Sequence, residues 1–432
     1  PVLSGIQGYN VYRKNAAGEF KKLNTFLLKS AYFKDAGLAG TTTYTYKISA
    51  VSATGNEGDL SGEIKANTNF PYHGKFPIFT QTGYYVLSSM TTADRTDGKK
   101  NVFAALNHDY GSTPGYLLGL DEEGGDLFNA DHNVTTHGDY AKFPNPVSST
   151  PVTGDLYGNG ENLVVIATRK IGAGNTLACF RMQDLDGDAE PDKLWEKPIG
   201  VACYRAPIMA NLDGNSMNRK QIIVKGRTVN IEIYDCNGDF LRTITPPVTE
   251  PGTGCIGVAD LDGDGDLEII AGYTEGSVFN NCTNSGNLLA KGTQKNIHAE
   301  RSRSHDIAVA DLNGNGYPEV VSVGCDFMKV WNRNGVEMCS VPTVNMNPYN
   351  LTPILADVDG DNLPEIIFNS KTYNTSKVFG YKLNGQAALG FPLSINGGSD
   401  GSPCVADIDG DGKNEVIVAS GSDIYAWKTE GK

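Results

Sequence analysis

Four short stretches of the chain carry oxygen donors at a spacing that suits a hard cation. They are Asp260/Asp262/Asp264/Glu268, Asp311/Asn313/Asn315/Glu319, Asp357/Asp359/Asp361/Glu365 and Asp407/Asp409/Asp411/Glu415. Each reads Asp-x-[Asp/Asn]-Gly-[Asp/Asn]-x-x-x-Glu. Side chains at positions one, three and five converge because the glycines permit a tight turn. The backbone carbonyl of position seven (Asp266, Tyr317, Leu363 and Lys413) and the acid at position nine complete a shell of oxygens. Ca²⁺ prefers such flexible oxygen cages. An EF-hand would need flanking helices and its acid at position twelve, so that reading is poor. A fifth loop, Asp184/Asp186/Asp188 with Glu190 at position seven and Asp192 at position nine, follows the same spacing. Two further loops, Asp155/Asn159 and Asn211/Asp213/Asn215, are degenerate and are expected to bind metal weakly or not at all. The expectation is four or five calcium ions, mainly structural.

The loops recur in phase with strands. Their first residues, Asp155, Asn211, Asp260, Asp311, Asp357 and Asp407, return every 46 to 56 residues. Such a period built from short strands is the signature of propeller blades. In the best repeat, small residues at Cys255–Ala259 precede the loop and the β-branched run Glu268–Gly272 follows it. A third strand comes next, as at Met328–Trp331 and Ile424–Trp427. A weaker copy at Asp94–Ala105 has lost most of its acids and brings the count to seven. The last repeat lacks a fourth strand. Gly74–Ile78 matches the Gly390–Leu393 fourth strand of the preceding repeat, so a strand at 74–80 is expected to close the ring, with Phe76 paired near Tyr425 and Trp427. Closure of this kind removes a sheet edge.

Residues 1–70 differ. Gly8–Arg13 and Thr43–Val51 alternate like half-buried strands, and Gly55–Gly58 reads as a turn. The fold class is therefore all-β: a small β-sandwich-like domain at 1–70 and a seven-bladed β-propeller at 71–432.

The chain has 432 residues and a net charge of -14. That balance argues against nucleic acid as a partner, which needs a basic footprint. No apolar run approaches the roughly 20 residues of a membrane span. No signal peptide is visible at Pro1, so a mature chain or a trimmed piece of a larger polypeptide, monomeric, is expected. The eight cysteines form no CxxC pair, which disfavours a zinc ribbon. Cys255 and Cys404 read as small core residues, and one or two disulfides are open.

In a four-stranded blade, the first and third hairpins share one face, which gathers the acidic loops. The opposite face then gathers Arg205, Arg227, Arg303, His305 and Tyr349. Arginine offers bidentate contact to carboxylates and aromatic rings offer platforms for sugars, so a ligand is expected there. The sequence carries no nucleophile elbow, zinc motif or phosphate loop, and no catalytic residue is assigned.

The segment "GYNVYRKN…TYTYKISAVSATGNEG" resembles a fibronectin type III domain from its third strand onward, N-terminally truncated. Residues 71–432 resemble the FG-GAP or VCBS repeats of integrin-type propellers. That resemblance implies structural calcium and a secreted, periplasmic or cell-surface module for binding or adhesion, recognising a glycan or an extracellular protein. "YNVYR", "TYTY" and the acidic loops also resemble family 11 rhamnogalacturonan lyases more distantly. The alternative is thus a lyase acting on an acidic pectic glycan, with His298, Arg303, His305 and Tyr349 as candidate actors.

Overall fold

The computed structural model describes residues 5–431 apart from 30–32, 34, 36, 37, 80–84, 87, 108–113, 129–138, 148, 170–173, 189, 204, 227, 229, 246–254, 274, 275, 280–294, 298–305, 325, 326, 344–351, 371–374, 400 and 422. Every regular element among the described residues is a β-strand. Two compact units form, one from residues 1–71 with 389–393 and one from residues 72–388 with 394–432.

The smaller unit holds one antiparallel sheet. Its strands run Phe20–Lys22, Ile6–Lys14, Thr43–Ser52 and Ile64–Asn67 in spatial order. The two alternating segments of the sequence are its central pair, with Tyr12 opposite Lys47 and Tyr9 opposite Ala50. Val11 and Val51 are buried, while Ile48, directly opposite Val11 in the register, stays exposed. The expected turn is present, closed by the Gly55 N–H donating to the Ser52 carbonyl at 2.9 Å.

The larger unit is a succession of small antiparallel sheets, a propeller-like arrangement. Its first sheet pairs Asp139–Phe143, Gly115–Leu120, Lys100–Asn107 and Tyr85–Val86, with Thr91–Asp94 also pairing to Lys100–Asn107. Five further sheets each follow chain order, and a sixth ends differently. A representative sheet runs Asp306–Ala310, Glu319–Val323, Phe327–Trp331 and Glu337–Pro342. Its second strand, Glu-Val-Val-Ser-Val, is buried at every position, which is why valines stand there on both faces instead of alternating with exposed polar residues. Its fourth strand is mostly exposed and mixed in character. This sheet thus grades from a buried second strand to a wet last strand.

Apolar clusters join neighbouring sheets. Phe103 and Leu117 pack with Val164 and Ile166, and Ile222 and Val224 with Val165 and Leu177. Ile223 and Ile233 meet Ile256 and Ile269, Ile270 meets Ile307 and Val320, and Val321 and Val330 meet Ile366 and Phe368. One cluster also unites Val102, Leu118 and Leu120 of the first sheet with Ile408, Ile417 and Ile424 of the last.

That last sheet is ordered Cys404–Ala406, Glu415–Ser420, Asp423–Lys428 and then Ile78–Phe79 from far upstream. Ile78 lies opposite Ile424 and Phe79 opposite Asp423. Tyr72 bridges to Trp427, and their rings stack at 5.6 Å between centroids. Phe76 itself sits in a turn, its N–H donating to the His73 carbonyl at 3.0 Å. The residue expected to pair near Tyr425 instead contributes a buried ring, and regular pairing covers only Ile78–Phe79.

No disulfide joins any two of Cys179, Cys203, Cys236, Cys255, Cys339 and Cys404; Cys282 and Cys325 lie outside the described residues. Cys255 is buried and Cys404 partly so, both packed against core clusters. Among the described residues no helix is long and apolar enough to cross a membrane.

Candidate functional site: the acidic hairpins

Each of the four best loops joins the first two strands of its sheet, and the fifth joins strands Asn175–Arg181 and Lys193–Ile199, third and fourth in theirs. In an antiparallel chain-ordered sheet those connections fall at the same end. Arg205 lies just before the strand Ile208–Ala210 and hence at the opposite end of its own sheet. Arg227, Arg303, His305 and Tyr349 lie outside the described residues.

The four loops share one hydrogen-bond plan. The first aspartate accepts backbone N–H groups with both oxygens. Asp260 takes Gly263 and Gly265 at 2.7 and 2.9 Å, and Asp311 takes Asn315 and Gly316 at 3.1 and 2.7 Å. Asp357 takes Gly360 and Asn362 at 2.7 and 3.0 Å, and Asp407 takes Gly410 and Gly412 at 2.8 and 2.9 Å. The turn needs left-handed backbone at the sixth residue. Glycine supplies it at Gly265, Gly316 and Gly412, and Asn362 supplies it with φ 65° in the remaining loop. Asparagine is the side chain that best tolerates that region.

Position five accepts from the N–H of position seven. Asp264 receives Asp266, Asn315 receives Tyr317, Asp361 receives Leu363 and Asp411 receives Lys413, at 2.8 to 2.9 Å. The closing glutamates Glu268, Glu319, Glu365 and Glu415 are all at most 2% exposed. One oxygen of each accepts the N–H of the loop's second residue: Leu261, Leu312, Val358 and Ile408, at 2.7 to 3.0 Å. The other oxygen is left for the loop interior. In the Asp311 loop it takes the Asn313 amide at 2.8 Å; Glu415 Oε1 has no hydrogen-bond partner, nor has the buried Asp359 Oδ1. Buried polar atoms are ordinarily satisfied, so these orphans are places that could take a cation.

Burial is the main cause that pushes these glutamates up, with the neighbouring aspartates adding to it. Glu268 and Glu365 rise to about 7 and Glu415 to about 8, and Glu319 rises as well. Donor atoms of Asp260/Asp262/Glu268, Asp357/Asp359/Asp361, Asp407/Asp409/Asp411 and Asp184/Asp186/Asp192 lie within 4.8 Å of one another in each group. These clusters could hold metal ions, and their donors, all oxygen, fit a hard cation. In the fifth loop Asp192 takes the Leu185 N–H at 3.2 Å, as the glutamates do elsewhere, and Glu190 donates its N–H to Asp188 at 2.9 Å.

Two lysines enter the loops from the ends of third strands. Lys382 reaches Asp359 at 2.6 Å, Asp361 at 2.7 Å and Glu365 at 3.6 Å. Lys428 reaches Asp409 at 2.6 Å and Asp411 at 2.9 Å. Both follow an aromatic residue, Tyr381 or Trp427, at one phase of the repeat, which is the signal that could have found them. The Asn211 loop is built otherwise. Its Leu212 N–H goes to neutral Gln221 at 2.7 Å. The Asn215 amide donates to Asn211, Asp213 and the Arg219 carbonyl at 2.6 to 2.9 Å. An internal amide thus fills the space a cation would take.

Residues 260–322 and 341–418 match the FG-GAP-like repeat family. The matched stretches contain the loops opening at Asp260, Asp311, Asp357 and Asp407, but not the one at Asp184. No curated protein sequence matches the chain. Among solved structures, the exotype rhamnogalacturonan lyase YesX is similar at 16% identity with a TM-score of 0.50, over 98% of this chain and 85% of that one. The BBS1N structure in complex with ARL6DN is similar at 10% identity with a TM-score of 0.52, over 83% of this chain and 96% of that one. At these identities the likeness is one of fold.

Proposed function

We propose that the larger unit is a seven-bladed propeller stabilised by calcium, closed by the segment 74–80, and that it serves as a secreted, periplasmic or surface-displayed binding module. The observation that carries this is the recurrence of one loop plan, four times over, each with a buried glutamate at position nine. Carboxylates gathered this closely repel one another. A divalent ion reverses that repulsion and adds its binding energy to folding. Calcium fits because the donors are oxygens on flexible loops. The smaller unit is of fibronectin type III kind.

The ligand face lies away from the acidic loops, around Arg205, Arg227, Arg303, His305 and Tyr349, and takes an acidic glycan or an extracellular protein. A glycan array with the calcium-loaded chain tests it: retention of uronate-bearing glycans supports this reading, and an array without a hit removes the glycan. A second reading, a lyase on rhamnogalacturonan, is favoured by one observation. The lyase YesX aligns over 98% of this chain, the smaller unit included. Absorbance of unsaturated product from rhamnogalacturonan separates the two readings.

A further inference from the structure

Among the described residues, only the last acidic loop has a histidine grouped with its carboxylates. His73, from the segment ahead of the first sheet, lies beneath it and is 2% exposed. The main chain fixes its place, because the His73 N–H donates to the Ala426 carbonyl at 2.8 Å beside the Tyr72–Trp427 bridge. Its Nε2 lies 3.0 Å from the Glu122 backbone carbonyl. A carbonyl only accepts, so Nε2 carries a hydrogen, and in the neutral ring Nδ1 then presents its lone pair. That lone pair faces Asp409 Oδ2 and Glu415 Oε1, each at 3.7 Å. Neither His73 Nδ1 nor Glu415 Oε1 has a hydrogen-bond partner.

A lone pair aimed at two carboxylate oxygens is unfavourable unless a proton or a metal ion stands between them. At 3.7 Å the atoms are too far apart for a hydrogen bond. The separation suits two ligands of one ion: donors about 2.0–2.2 Å from a shared centre lie roughly 3.3–3.8 Å apart at tetrahedral or wider angles. All three donor atoms lie within 4.8 Å of one another. The outer contacts follow the pattern of metal sites, where a ligating histidine gives its other N–H to a carbonyl and ligating carboxylates are themselves hydrogen-bonded. Glu415 Oε2 takes the Ile408 N–H at 3.0 Å, and Asp409 Oδ2 takes Lys428 at 2.6 Å.

We propose that His73, Asp409 and Glu415 form a nitrogen-and-oxygen site for a divalent transition-metal ion, Zn²⁺ in the first place, which pins the segment ahead of the first sheet to the last sheet. Imidazole suits Zn²⁺, whereas calcium selects oxygen alone. The inference rests on reading the acidic loops as cation sites, and the test separates the two. The full chain, stripped with chelator and returned to millimolar Ca²⁺, is titrated with Zn²⁺ against a chromophoric chelator. One Zn²⁺ per chain is expected, with calcium content falling by at most one ion. His73→Gln keeps an amide for the Glu122 carbonyl and should bind Zn²⁺ at least about a hundredfold more weakly, with unchanged circular dichroism. Equal Zn²⁺ affinity in His73→Gln, or no Zn²⁺ bound by the native chain, overturns the site while leaving the calcium loops standing. Zn²⁺ uptake by a chain that takes no Ca²⁺ would keep the site and remove the calcium reading. A readout without a variant is the proton NMR spectrum of the Co²⁺-loaded native chain. It should contain one exchangeable hyperfine-shifted signal from the Nε2 hydrogen, and its absence likewise overturns the site.

Discussion

Stripping the cations should make the chain less stable as pH rises, the reverse of what an acidic protein with paired carboxylates does. The cause is the set of buried position-nine glutamates. An ordinary glutamate sits at 4.5, whereas Glu268 and Glu365 are pushed up to about 7 and Glu415 to about 8. Between those limits the metal-free folded chain holds protons that the unfolded chain has released. Stability is therefore full below about pH 4.5 and is lost as pH climbs through 7 to 8. For Glu268 in a rigid loop the loss is on the order of 3 kcal/mol, and less where the loop opens to water. Asp311, held low by the Gly316 N–H, and Asp361 and Asp411, held low by Lys382 and Lys428, have opposite sign. They finish titrating below this window and leave its slope unchanged. The assay is thermal unfolding at pH 5.5 and 8.0, in excess chelator and in millimolar Ca²⁺. The stripped chain should melt lower at pH 8.0 than at 5.5. With calcium the order should reverse, because the ion replaces the protons, and buffer-dependent calorimetry should register proton release on binding near pH 6.5. A stripped chain whose melting point is flat or rises across that interval would refute the reasoning.

Other expectations follow the same lines. Glu365→Gln copies what Gln221 does in the Asn211 loop, so it should lift the melting point of the stripped chain at pH 8.0 and cost one calcium ion, read by titration. Phe76→Ala empties a 4%-exposed position between the first and last sheets and should destabilise the larger unit by about 3–5 kcal/mol in urea unfolding. If only local fraying is seen, the segment is not a closing element. Arg303→Ala should weaken binding to an immobilised acidic glycan by roughly 1.5–3 kcal/mol, while Asp264→Ala lowers stability and leaves the affinity of the folded fraction unchanged. The opposite pattern would move the ligand to the acidic loops.

The loops and their strands were legible because they are local. A hairpin of the form Asp-x-Asp-Gly-Asp-Gly needs only its own glycines and the following β-branched run, so sequence alone places Asp260–Glu268 between two strands. The outermost strand of the last sheet was also readable, since Gly74–Ile78 copies Gly390–Leu393, although Phe76 turned out to face the core from a turn. The neutral substitute Gln221 was missed because it stands two residues beyond the expected position nine. Lys382 and Lys428 were missed because the repeat was read for acids and not for their counter-charges. His73 could not be read at all: it meets Asp409 and Glu415 only through pairing between distant ends of the chain, and no spacing in the sequence encodes that contact.

The central claim, that the recurring acidic hairpins are calcium sites, is tested most directly by anomalous diffraction from crystals grown in zinc-free millimolar Ca²⁺. Peaks are predicted inside the loops opening at Asp260, Asp311, Asp357 and Asp407, with a fifth at Asp184 for full occupancy, and none in the Asn211 loop. A folded crystal with those four loops empty of anomalous signal would contradict the account.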